Sequence, residues 1–199
     1  MNSLNTSSRK VVALISGIFL LFPLLANAHL GVGSTAGTPA GFFHPFSGLD
    51  HLLAMLGVGF WAAQLGGRAI FLIPSSFISV MIFGWVLGIS EVPLPFVEHG
   101  IILSVLITGI FIAIAVRLPL VACMFIVGFF ALFHGYAHGS EMTFNVGFLS
   151  YMFGLITATT LLHGVGIFAA KTLGLLKSEK AWRGVGAAIT LAGLYLILF

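Results

Sequence analysis

AIFLIPSSFISVMIFGWVLGI, Ala69 to Ile89, runs for 21 residues without an Asp, Glu, Lys or Arg, and about 20 apolar residues in helical form suffice to cross the hydrocarbon of a bilayer. Uncharged runs of similar length recur on both sides of it. Of the 199 residues 59% are hydrophobic and 7% charged, whereas a soluble domain carries roughly 25% charged residues to clothe its surface. The expected class is therefore all-α, a polytopic membrane helix bundle with the lipid bilayer as its partner. The formal charge is +3, but Arg9 and Lys10 fall in a segment read below as removed, which leaves +1 and no footing for nucleic acid. The lone Cys123 lies inside an apolar run, without a disulfide partner or a thiolate cluster, and reads as a small buried hydrophobe.

Residues 1–28 have the form of a secretory signal: a polar start ending in Arg9-Lys10, an apolar run from Val11 to Leu25, then Ala26-Asn27-Ala28, with cleavage expected after Ala28. The alternative is an uncleaved first transmembrane helix. Residues 29–199 would then form one unit of six transmembrane helices, near Gly48 to Leu65, Ala69 to Ile89, Glu98 to Val116, Leu118 to Ala137, Phe144 to Ala169 and Gly184 to Phe199. Pro119 suits a first helical turn, and Pro74 is expected to kink its helix. The pairs Gly84/Gly88 and Gly135/Gly139, each at GxxxG spacing, point weakly to close helix packing.

Charge supplies an independent test of topology, because Lys and Arg gather in cytoplasmic loops. With the mature N-terminus outside, Arg68, Arg117, Lys171, Lys177, Lys180 and Arg183 all fall inside. The acids Asp50, Glu91, Glu98 and Glu141 fall at the external ends, with Glu179 as the exception, and His29, His44, His51, His99, His134 and His138 accompany them. Such a chain is expected in an inner membrane.

Two segments carry chemistry. In His44-Pro45-Phe46-Ser47-Gly48-Leu49-Asp50-His51, a continuous helix would set His44 and His51 on one face, about 20° apart, with Asp50 beside them. A plainer reading is a capping box, Ser47 as N-cap with Asp50 three residues on. In Phe133-His134-Gly135-Tyr136-Ala137-His138-Gly139-Ser140-Glu141, two histidines at i, i+4 and a glutamate three further on share one stripe. Imidazole and carboxylate at that spacing make a half-site for a divalent metal. A single membrane histidine more often bonds a neighbouring helix, but ionisable groups in such number near hydrocarbon are costly enough to imply a function.

On these residues the chain resembles the HupE/UreJ family of bacterial nickel and cobalt permeases, whose signatures have the form HPxxGxDH and FHGxAHGxE. His44 to His51 and Phe133 to Glu141 match both, in order, and the resemblance covers essentially the whole chain. It implies uptake of nickel or cobalt for hydrogenase or urease maturation, the motif histidines and acids handling the metal. The metal would be cargo, bound transiently, with no prosthetic group; a homo-oligomer fits equally well.

Other residues are weighed against this set. Glu98 and His99 open a span from outside and can lean toward the cluster or simply be solvated. His163 lies deep in a span, as a second ligand or, by slight preference, as a helix-to-helix hydrogen bond. Met142, next to Glu141, is a candidate thioether contact. His29, if it becomes the first residue, offers an α-amine of pKa about 8 together with its imidazole, and the pliable stretch Gly31 to Gly41 could fold it over the external cluster. No GxxxxGK[ST] loop couples the chain to ATP. The rival functions are an intramembrane metallohydrolase, which lacks the Glu that should follow the first histidine (Gly135 stands there), a haem carrier with histidines deep in facing spans, and a metal-binding protein that does not transport.

Overall fold

The computed structural model describes residues 37–142, 147–175 and 179–198. The expected signal segment, its cleavage site, His29, residues 31–36 of the Gly-rich stretch, Phe144 and Lys177 lie outside the described residues. Among those described, seven α-helices and no strand occur: α1 (Gly37–Phe43), α2 (Leu49–Leu65), α3 (Ala69–Ile89), α4 (Val97–Ala113), α5 (Leu120–Ser140), α6 (Phe148–Leu175) and α7 (Glu179–Leu198), with a 3₁₀ turn His44–Phe46 between the first two.

The six long helices stand where the six spans are expected, but they are not equally long. By length and composition α3, α5, α6 and α7 can cross a membrane. Helices α2 and α4 have 17 residues each, about 25 Å at 1.5 Å per residue against roughly 30 Å of hydrocarbon. Only with Gly37–Phe46, from which it is bent by 82°, does α2 reach the needed length. Four spans, or five with the bent pair, are what the helices support by themselves. Pro119 caps α5 as its position suggests, and Pro74 lies early in α3 without ending it.

Two expectations about the first motif change. The chain from His44 to His51 is not one helix: Gly48 is extended (φ −110°, ψ 125°), so the 3₁₀ turn and α2 meet at an angle. Nor is there a capping box, because Gly48 occupies the N-cap with no side-chain bond, while Ser47 Oγ donates to the His44 carbonyl at 2.6 Å. The end of the Gly-rich stretch is also less pliable than expected. Residues 37–43 are helical, and a side chain at Gly41 would overlap the Tyr151 carbonyl, so α1 lies directly on α6.

The bundle is sorted as lipid requires. Phe71, Phe83, Phe125, Phe153, Phe168 and Leu191 are exposed on the outside, whereas His134, His138, His163, Thr159 and Ser104 are buried inside. A soluble protein would reverse this, since exposed apolar surface on such a scale is tolerated only against hydrocarbon.

Glycine decides how close the helices come. The pairs Gly84/Gly88 and Gly135/Gly139 face each other across α3 and α5: a Cβ on Gly84 or Gly88 would strike the carbonyls of Leu132 or Tyr136, and one on Gly135 or Gly139 those of Met81 or Trp85. The weak GxxxG signal thus marks a backbone-to-backbone contact. Gly59 and Gly166 do the same for α2 on α6. One end of the bundle gathers Arg117, Glu179 and Arg183 around Gln64, and the opposite end gathers Asp50, Glu98 and Glu141; we call them the basic and the acidic end.

Candidate metal site

At the acidic end, α5 presents His134 and His138 one turn apart, both fully buried, because the glycines that follow each of them bring this face of α5 against α3. Glu141 caps the helix. The 3₁₀ turn lays His44 across this stripe, its Nε2 3.1 Å from Glu141 Oε2 and its ring edge-on to His138 with centroids 4.8 Å apart. From the first turn of α2, His51 inserts between the two α5 histidines, with centroids 4.6 Å from His138 and 4.9 Å from His134. Despite the break at Gly48, both first-motif histidines therefore reach the second motif. They do so from different depths, where one helical face would have placed them a turn or two apart.

Hydrogen bonds set which nitrogen of each ring is available. Asp50 Oδ1 accepts from the His51 backbone N–H at 2.7 Å and lies 2.9 Å from Nδ1. A carboxylate can only accept, so His51 carries its proton on Nδ1 and presents Nε2 as the basic nitrogen, the orientation that a carboxylate gives to metal-ligating histidines. Ser104 of α4 does the equivalent for His134. Its single hydroxyl proton goes to the Ile101 carbonyl at 2.6 Å, so its oxygen accepts from His134 Nε2 at 2.9 Å and leaves Nδ1 basic. Among the described residues, His51 Nε2, His134 Nδ1 and both nitrogens of His138 are buried without any hydrogen-bond partner. Leaving such groups unpaired costs about 1–3 kcal/mol each.

No three His, Cys, Asp or Glu side chains among the described residues converge as a finished metal cage. The donors form a row instead: Glu141 and His44 at the rim, then His138, His51 and His134. The Glu141 carboxyl, hydrogen-bonded to His44, is held below its ordinary range and stays anionic. An open cleft of about 400 Å³ leads to the row, lined by Asp50, His51, Glu98, Tyr136, Ser140 and Glu141.

Not every expected residue joins. Glu98 is exposed but lines the cleft; His99 is exposed beside it and packs edge-on against Phe96, outside the cleft lining. Met142 lines a separate apolar cavity with Trp85 and Phe148. His163 makes no hydrogen bond to a described residue, so the helix-to-helix bond is not its role. Sequence reading missed Ser104, Tyr151, whose ring is 5.9 Å from His44, and Phe77, which touches His134 at 5.5 Å. A hydroxyl in the otherwise apolar stretch of α4 could have flagged Ser104; nothing distinguishes Phe77 among 20 phenylalanines.

A bundle that turns phenylalanine to lipid and lines its interior with imidazoles opening on a carboxylate rim has the build of a multi-pass membrane protein. Comparison with known proteins gives that class a family. The profile described as "HupE / UreJ protein" matches residues 17–196, and the chain belongs to this family, one of metal accessory and transport proteins associated with nickel and cobalt supply to hydrogenase and urease. It is similar to Protein HupE of Rhizobium leguminosarum bv. viciae, 43% identical over 179 residues that cover 90% of this chain and 93% of that one. No solved structure matches.

Proposed function

We propose that the protein admits a divalent transition-metal ion, nickel or cobalt, across the inner membrane through the histidine row, without ATP, and so supplies hydrogenase or urease. The observation that supports this most is the set of four buried, unpartnered imidazole nitrogens on His51, His134 and His138 behind an anionic rim. Neutral imidazole suits nickel and cobalt better than magnesium or calcium, which prefer oxygen ligands. A row of incomplete sites suits passage, because an ion held in a closed cage does not leave. The driving force is electrical: each inward elementary charge gains about 2.3 kcal/mol per 100 mV, hence about 4.6 for a divalent ion.

On this reading the acidic end faces the periplasm, α2 and α4 complete six spans, and the segment before His29 is cleaved. His29 then adds an amine and an imidazole to the mouth, and its replacement by alanine weakens nickel binding. N-terminal sequencing that begins elsewhere would remove His29 from the site. The deciding experiment is uptake of radioactive nickel and cobalt into proteoliposomes under an imposed potential, inside negative. Uptake of neither ion would refute the proposal.

A further inference from the structure

His163 lies in α6, apart from the row. It is 1% exposed, and neither ring nitrogen has a hydrogen-bond partner among the described residues. Its depth follows from two helices independently. Tyr151, which touches His44 at the mouth, precedes it by twelve residues of α6, about 18 Å at 1.5 Å per residue. Gly59, which packs on the His163 carbonyl, follows His51 by eight residues of α2, about 12 Å. His163 is thus near the middle of a ~30 Å hydrocarbon layer, where water cannot relieve its unpaired nitrogens.

Its surroundings are not merely apolar. Phe77 of α3 touches both His134 and His163, with centroids 5.5 and 5.0 Å away, and so stands between the row and this residue. One turn nearer the mouth, Thr159 of α6 is fully buried and its hydroxyl donates to Met81 Sδ of α3 at 3.8 Å. Thioether and hydroxyl therefore precede the imidazole along the α3/α6 seam, one turn on the mouth side of the Phe77–His163 contact. Imidazole and thioether are borderline and soft donors, which late first-row divalent metals accept and magnesium or calcium do not.

We infer that His163 is a second binding station for the same divalent ion, which reaches it from His134 past the Phe77 ring, with the Met81 thioether and Thr159 hydroxyl one turn nearer the mouth along the way. The inference rests on the uptake function proposed above and adds to it an inner site that carries the ion from the acidic half of the bundle toward the basic end. The cost of burying an unsatisfied imidazole is offset while an ion is bound.

The full-length protein in proteoliposomes tests this with His163→Gln, which keeps a polar side chain of similar length, and His163→Cys, which substitutes a softer ligand. Glutamine is expected to lower the initial rate of nickel uptake about tenfold or more while nickel binding to the detergent-solubilised protein, measured by calorimetry, changes less than about twofold. Cysteine is expected to raise the ratio of cadmium to nickel uptake by about tenfold, since thiolate favours the softer ion. Parental uptake by His163→Gln, joint loss of binding and uptake, an unchanged ratio in a transporting His163→Cys, or failure of both variants to fold would each overturn the station. Absence of uptake by the parent protein refutes the uptake function itself, and so is told apart from failure at His163.

Discussion

Substitution of Gly135 by alanine separates the two jobs that the second motif performs. The helix itself would welcome the change, because alanine is favoured over glycine in a helix interior by about 1 kcal/mol. The neighbour would not: the new methyl group falls on the Met81 carbonyl, which is backbone of α3 and cannot rotate away as a side chain could. Overpacking of this kind costs typically 1–3 kcal/mol, and a rigid obstacle argues for the upper part of that range, so a net loss of about 1–2 kcal/mol remains. That reduces the folded-to-unfolded ratio roughly 5- to 30-fold. Because α5 must move away from α3 at the level of His134, nickel uptake should fall too, although Gly135 carries no donor atom. Thermal unfolding in detergent, measured beside proteoliposome uptake, is the assay. Gly164→Ala is the control, since a Cβ there meets nothing within 4 Å, and its melting temperature should equal or exceed that of the parent. A Gly135→Ala protein as stable and as active as the parent would refute the close approach of α3 and α5.

The remaining tests address the site and the topology. His138→Ala and Glu141→Gln should each abolish nickel uptake while the protein still reaches the membrane, as shown by immunoblot of membrane fractions; wild-type rates in both would make the stripe structural. Ser104→Ala removes the group that fixes the His134 tautomer and should weaken nickel binding by about 10- to 100-fold, the usual cost of losing such a support; calorimetry on the purified variant would show it. Uptake should decline as external pH falls from 7 to 5. Glu141 is not the cause, since the His44 bond holds its carboxyl below the ordinary range; a proton taken up by a donor imidazole removes the lone pair that would bind the metal. A flat profile would argue against histidine donors. In a Cys123→Ala background, cysteine at Arg68 should react only with reagents from the cytoplasm and cysteine at Leu94 only with reagents from outside, and the reverse pattern would invert the bundle.

What could be read in the sequence is what a local period or a bulk property determines. Uncharged runs located the six long helices because the bilayer penalises every charge within them, and the i, i+4 spacing placed His134 and His138 on one stripe because helix geometry leaves no choice. The fold of the first motif could not be read this way. Whether His44 to His51 continues as a helix turns on the conformation of Gly48, a residue that populates extended and helical angles with little preference, and the packing of α1 on α6 settles it. The same holds for span number, since 17 and 20 residues differ little as hydropathy but differ by most of a turn as length. Phe77 was out of reach for another reason: it joins the site through contacts more than 50 positions away, with His134 and His163, and a single sequence carries no mark of that.

The order of donors along the bundle suggests how an ion would be chosen, and the argument needs no tight site. At the rim Glu141, Asp50 and Glu98 offer oxygen to any divalent cation, magnesium included, so entry discriminates little. Past the rim the basic nitrogens of His138, His51 and His134 are fixed in place by Asp50, by Ser104 and by ring contacts below 5 Å. Magnesium gives up its water reluctantly and gains little from imidazole, so under the proposed uptake function the row would be a barrier to it, while nickel and cobalt would exchange water for nitrogen favourably at each step. Copper binds such donors more strongly still, and a site deep enough to hold it would be blocked by it. A succession of partial sites would avoid that outcome, because among the described residues no position gathers three donors that could retain the strongest binder.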